Sequence, residues 1–195
     1  MQVIDFELQD KAIIRISSDI EIEKLSCCDE VVMTLLKDNK NHLLSANTLH
    51  DNMYILKHAL KKVLKNQLPL HPSIIQDIGY LYNQELQFKP GLVYEKYGDG
   101  DSWVGIKSLL WNDELATWLY NDINGDIIFH ITPLYPGNWT DIQFDKKANK
   151  KAYAEWIAHY KPFWTIKLSP VTAQAWLDFA EGIFNRLSYT EGYRD

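Results

Sequence analysis

Residues 3–8 alternate, with Ile4, Phe6 and Leu8 on one side and Val3, Asp5 and Glu7 on the other, the two-residue period of a half-buried strand. Gln9-Asp10 turns the chain into a second strand, Ala12 to Ser17, and a third alternation sets Ile20 and Ile22 against Glu21 and Glu23. Ser26, with Asp29 three residues on, has the form of a capping box and predicts a helix through Leu36. A longer helix is predicted from about Thr48 to Asn66, because Leu49, Met53, Leu56, Leu60, Val63 and Leu64 keep the three-four spacing of a buried stripe. Its last turns carry Lys61, Lys62 and Lys65, which suit the negative end of the helix dipole. Pro72 opens a shorter helix through Leu86, with Ile74, Ile78, Leu81 and Tyr82 as its inner face.

The second half begins with strands. Leu92 to Tyr97 and Trp103 to Trp111 flank a Gly98-Asp99-Gly100-Asp101 tip. Leu115 to Asp122 and Asp126 to Thr132 form a hairpin around Asn124-Gly125, the dipeptide that most readily supplies the two positive φ angles of a type I′ turn. That turn sets Tyr120 opposite Phe129 and Trp118 opposite Ile131 on a core face. The other face is mixed, with Thr117, Leu119 and Asn121 opposite Thr132, His130 and Ile128. A helix from about Lys147 to Tyr160 presents Ala152, Tyr153, Trp156 and Tyr160, and a strand follows from Phe163 to Leu168. Ser169-Pro170 is a good cap and first-turn pair for a final helix with Trp176, Phe179, Ile183 and Leu187 inward.

These elements predict an α+β fold in which small antiparallel sheets, built from β-hairpins, pack against several α-helices. Residues 1–91 hold five aromatic side chains (Phe6, Tyr54, Tyr80, Tyr82 and Phe88), and residues 92–195 hold the other twenty, including every Trp. The Lys89-Pro90-Gly91 turn is too short for a free tether, so residues 1–195 are expected to form one domain of two layers, 1–91 and 92–195.

Composition narrows the partners. The chain has 195 residues, with 20 Lys+Arg against 26 Asp+Glu for a net charge of -6. Only Arg15, Arg186 and Arg194 are arginines, so the side chain that grips phosphate and guanine edges bidentately is scarce. Direct nucleic-acid binding is not expected, whereas a basic protein is the natural electrostatic complement. No apolar run approaches the ~20 residues of a membrane span, and the alternating acidic start is unlike a signal peptide, so a cytoplasmic protein is expected.

Motifs for phosphate loops, dinucleotide folds, zinc proteases and nucleophile elbows are absent. Asp122, Asn124 and Asp126 resemble the start of a calcium loop, but position twelve is Pro133 where a bidentate Glu is required, and a hairpin turn accounts for them better. Asp99 and Asp101 form an Asp-x-Asp pair whose commoner meaning is an acidic loop tip. Cys27 and Cys28 are adjacent with no second pair to build a framework or zinc site; they are expected to be reduced, with a vicinal redox switch as the other reading. His50 and His58 lie about 12 Å apart along the long helix, too far to share one metal, and are expected to face solvent. His130 stands mid-strand among threonines, and a catalytic role there would need a base or nucleophile from elsewhere. No catalytic residue, metal ligand or cofactor is assigned.

Charge is concentrated between Glu95 and Asp126, where seven acids (Glu95, Asp99, Asp101, Asp113, Glu114, Asp122 and Asp126) meet two bases (Lys96 and Lys107). With Trp103, the first six of these acids are candidate partner-binding residues, since acids steer encounter and aromatics anchor it. Strand alternation, with aromatics in the core and acids at loop tips, predicts the same pattern.

The run Tyr94-Glu95-Lys96-Tyr97, then Trp103 to Trp111, then Ala116 to Asn121 with Ile127 to Tyr135, resembles bacterial immunity proteins of contact-dependent and other polymorphic toxin systems, over residues 92–187. The resemblance implies a cytoplasmic protein, monomeric on its own, that neutralises one cognate toxin domain, expected to be a basic nuclease such as an RNase, by occluding its active site. It transfers no catalytic residue. The rival expectations are an enzyme with a dispersed His/carboxylate site, using His130 as a hydrolase or transferase would, and a structural scaffold subunit.

Overall fold

The computed structural model describes residues 2–8, 11–70, 77–88, 107–112, 114–136 and 146–191. Two antiparallel four-stranded meanders organise the chain, and helices lie against both, so the small α+β fold with antiparallel sheets packed on several helices is the observed one.

The first sheet has the order β1 (Gln2–Glu7), β2 (Ile13–Ser18), β3 (Glu30–Lys37) and β4 (Lys40–Thr48). The first two strands follow their hydrophobic alternation, with Ile14 and Ile16 turned fully inward. On the outer face the Arg15 guanidinium grips its cross-strand partner Asp5 bidentately at 2.8 and 2.7 Å, which holds the Asp5 carboxyl below its ordinary value.

Two expectations fail in the next segment. Residues 22–24 form a single 3-10 turn instead of extending a strand. Ser26 and Asp29 do bond as a capping box would, Ser26 N and Oγ both donating to Asp29 Oδ2 at 2.7 and 3.0 Å, but they close a turn that leads into β3, not into a helix. The same short side chains serve either purpose. What decides is the β-branched run Val31, Val32, Thr34 and the alternation that buries Val31, Met33 and Leu35, which pays only in a sheet flanked on both sides. The return strand β4, unforeseen from its pattern, follows a two-residue loop in which Asp38 and Asn39 have φ of 52° and 60° between the paired Lys37 and Lys40. This is the type I′ geometry. A bulge between Met33 and Thr34 interrupts the pairing opposite Leu44, which is fully buried.

Helix α1 (Leu49–Leu64) starts as expected, with the Thr48 hydroxyl accepting from Asp51 N at 3.2 Å, and buries Leu49, Met53, Leu56, Leu60 and Val63. Asn66, at φ 56°, ends it in the left-handed region. Helix α2 (Ile78–Phe88) covers the later part of the predicted helix; its predicted start at Pro72 and the inward Ile74 lie outside the described residues.

The second sheet has the order β5 (Lys107–Trp111), β6 (Leu115–Asn121), β7 (Ile127–Pro133) and β8 (Trp164–Leu168). The predicted strand at 92–97 and the first residues of the one at 103–111 lie outside the described residues. Helix α3 (Lys146–Ala158) precedes β8, and α4 (Pro170–Glu191) follows it, capped by Ser169 Oγ accepting from Thr172 N at 3.0 Å. No helix among the described residues is long and apolar enough to cross a membrane.

The β6–β7 hairpin forms where predicted, but its register is slipped by one. Trp118 pairs with His130, Tyr120 with Ile128, and Leu119 with Phe129. The cause is the turn. Only Gly125 has positive φ (80°), and Asp122 N bonds Asp126 O while Gly125 N bonds Asp122 O, both at 2.9 Å. That is a three-residue loop with a bulged glycine, one residue longer than a type I′ turn. The Asp122 carboxylate favours it by accepting from Asn124 N and Asp126 N at 2.8 and 2.9 Å. Since side chains alternate strictly, the slip separates residues expected to be together. Leu119, Phe129 and Ile131 enter the main core with the first sheet, α1 and α4, while Ala116 and Trp118 join Ile78 and Leu134 in a second cluster on the reverse face.

Two buried asparagines join these layers. Asn121 donates to Val63 O at 2.9 Å and accepts from Leu68 N at 3.2 Å, tying the end of α1 to β6. Asn83 donates to Gly79 O and Pro133 O and accepts from Tyr135 N, tying α2 to the end of β7.

Candidate functional site

The reverse face of the second sheet carries a connected polar network, and it starts from a helix cap. Asp77 immediately precedes α2, and its Oδ1 accepts from Tyr80 N at 3.1 Å, three residues on. The helix dipole favours a carboxylate there. The first turn of α2 lies hard against β7: a Cβ on Gly79 would stand 2.4 Å from both Thr132 Cβ and the Tyr160 hydroxyl. Only glycine admits that approach.

The close approach brings three segments onto one carboxylate. Tyr160, just beyond α3, donates its hydroxyl to Asp77 Oδ1. His130 on β7 places Nε2 2.8 Å from Asp77 Oδ2, although the imidazole N–H does not point along the contact, which is an ion-pair approach and not an aligned hydrogen bond. On the other side of the ring, Nδ1 lies 2.6 Å from Thr165 Oγ1, the hydroxyl of its cross-strand partner on β8. Deeper in, Trp118 Nε1 donates to Thr132 Oγ1 at 2.8 Å, and the Thr132 hydroxyl bonds Tyr160. A polar chain therefore runs from buried Trp118 through Thr132, Tyr160, Asp77 and His130 to Thr165, which is solvent-exposed.

The electrostatics follow from this geometry. Burial alone would raise the Asp77 carboxyl, but the His130 imidazole facing it, the hydrogen bond from Tyr160 and Tyr80 N hold it below its ordinary value. Tyr160 is pushed strongly upward by burial, then by its bond to Asp77 and that residue's charge, so it remains a donor. Tyr120, whose ring centroid lies 6.4 Å from that of His130, is pushed up to about 12 by burial and by the charges of Asp77 and Asp122. Which of His130 Nδ1 and Thr165 Oγ1 donates across their contact is set by the imidazole tautomer. Chemically, the arrangement is a hydroxyl, a base and an orienting carboxylate in sequence.

The acidic candidates distribute differently. Glu95, Asp99, Asp101, Trp103 and Asp113 lie outside the described residues. Glu114 is exposed, and Asp122 is half-buried in its turn. These two stand at opposite ends of β6, about 25 Å apart along the strand. Asp126 pairs with Lys167 at 2.6 Å, so part of the local negative charge is already compensated. Between Asp122 and Asp126, Ile123 is 94% exposed at the hairpin tip.

His50 and His58 do not simply face solvent. They are half-buried in a ring stripe with Tyr54, whose centroid lies 5.9 Å from His50 and 4.2 Å from His58, alongside Phe184. Among the described residues no group of three His, Cys, Asp or Glu side chains is placed to hold a metal ion.

Of the residues in the polar chain, only His130 stood out in the sequence. Asp77 had a legible signal, a capping carboxylate three residues before Tyr80, but the helix was expected to start earlier. Tyr160 was expected inward without a partner, and Thr165 is an ordinary strand residue until β8 is paired with β7. The chain matches no protein-family model, no curated protein and no solved structure.

Proposed function

We propose that the protein is a cytoplasmic immunity-type inhibitor, which binds a cognate toxin domain through acidic side chains and covers a basic active site such as a nuclease cleft. The observation that carries this reading is the concentration of charge: seven acids against two bases from Glu95 to Asp126. The tip of the β6–β7 hairpin supports it, since exposed Ile123 between Asp122 and Asp126 joins an apolar anchor to acidic neighbours. A cleft built to hold nucleic acid is positive, and carboxylates imitate the phosphates it expects. In this reading the Asp77–His130–Thr165 chain has a mechanical task, holding α2 and the end of α3 against β7 and β8.

The test is co-purification with the product of the toxin gene encoded immediately upstream, followed by a nuclease assay. Stoichiometric loss of nuclease activity is expected; activity that persists at saturating protein overturns the reading. Reversing Asp99, Asp101, Asp113 and Glu114 to Lys is expected to slow association and flatten its salt dependence.

One observation favours a second reading, that of a hydrolase or transferase. The exposed Thr165 hydroxyl, 2.6 Å from His130 Nδ1, is placed to lose its proton to the imidazole while Asp77 steadies the far side of the ring. Turnover of an activated ester that vanishes in Thr165→Val, with folding retained, supports that reading; equal turnover in both proteins removes it.

A further inference from the structure

The turn that leads into β3 holds a pair of thiols that the binding reading does not use. Ser26 and Asp29 close this turn through the two bonds to Asp29 Oδ2, and Asp29 N returns to Ser26 O at 3.3 Å. Adjacent side chains point to opposite faces of a strand and diverge around a helix. In this turn those of Cys27 and Cys28 lie side by side, with Sγ to Sγ at 3.2 Å and both residues reduced. Their environments differ: Cys27 is buried, at 8% exposure, and Cys28 faces solvent.

From this pairing we infer that Cys27 and Cys28 are a vicinal dithiol redox site that exchanges with low-molecular-weight disulfides of the glutathione type. The Cys28 thiolate attacks one sulfur of the disulfide, forming a mixed disulfide and releasing the first small thiolate, which takes up the proton Cys28 lost. The Cys27 thiolate then attacks Cys28 Sγ, expels the second small thiolate, and closes the Cys27–Cys28 bond. The protein gives up two electrons and two protons, and one small disulfide becomes two small thiols. Exposure makes Cys28 the entry point, and contact makes Cys27 the resolving group. Adjacent Cα atoms are about 3.8 Å apart, below the usual span for a disulfide, so the bond closes only under a large excess of oxidised glutathione and is readily reduced again. The turn is tied to α1, because Cys27 O accepts from His50 N at 3.1 Å and Asp29 O accepts from Leu49 N at 2.8 Å.

The test incubates the full chain with oxidised glutathione, alkylates remaining thiols, and reads intact mass and a peptide map. The wild-type protein is expected to lose two hydrogens, carry no glutathione and resist alkylation at both positions, all reversed by dithiothreitol. Cys27→Ser is expected to trap one glutathione on Cys28, and Cys28→Ser to react about tenfold more slowly. A wild-type protein that retains two alkylatable thiols, accumulates stable glutathione adducts, or forms disulfide-linked dimers overturns the inference.

Discussion

The two faces of the second sheet are built from the same strands but follow different rules. One face presents Leu119, Phe129 and Ile131 to the main core, where Phe129 meets Trp176 edge-on at 5.6 Å between ring centroids. Its stability is additive burial, roughly 2 kcal/mol for each large side chain. The other face presents Trp118, Thr132 and His130, each fully or nearly buried, each with a polar atom that had to find a partner. There the helices are held by direction as well as area, and a polar group without its partner costs more than the bond contributes. The apolar face tolerates changes that preserve volume. The polar face does not, and that selectivity makes it the better place to position loops or a reactive hydroxyl.

The largest test of this contrast lies on the apolar face. Phe129→Ala is expected to lower unfolding free energy by about 3–5 kcal/mol in urea denaturation, through transfer and cavity terms together. A loss below about 1 kcal/mol would mean that Phe129 is not a core residue. Asp77→Asn is next, at about 2 kcal/mol, since it keeps the helix cap but removes the charge facing His130. Because the folded-state Asp77 carboxyl is held below its ordinary value, its contribution is full above the unfolded value and fades as pH falls through the folded one. The gap between wild type and Asp77→Asn is therefore expected to be constant from neutral pH to about 5 and to close toward strong acid; a constant gap at all pH values would show that the charge is irrelevant. The smallest effect is expected at the turn that sets the two faces. Gly125→Ala forces an L-residue to φ 80° and is expected to cost about 1–2 kcal/mol. Gly125→Asn is expected to be milder, and equal stability of all three proteins would exclude the bulged-glycine loop.

Much of the architecture was legible because it depends on periodicity. β1, β2, α1, α3, β8 and α4 appear where alternation or three-four spacing and their caps place them. Segment 26–36 misled because Ser26 and Asp29 satisfy one another in a helix cap or in a turn, and the choice rests on whether β2 and β4 are available as neighbours. Asn124-Gly125 predicts a type I′ turn that forms instead at Asp38-Asn39, because the Asp122 side chain draws two backbone amides into a longer loop. The polar site was hardly legible. Its members come from α2, β7, β8 and the residues after α3, and no spacing along the chain connects Asp77 to His130 or Thr165.

What the sequence by itself determined is therefore local: most strand and helix periods, the Thr48 and Ser169 caps, the position of the β6–β7 hairpin, and the acidic balance between Glu95 and Asp126. What the tertiary structure decided is pairing. A single extra residue in the β6–β7 loop sends Phe129 to one core and Trp118 to the other, and turns His130 toward Asp77 and Thr165. The physical reason is that periodicity reports which side of its own element a residue occupies, whereas register and close approach, here through Gly79, report which other element that side meets.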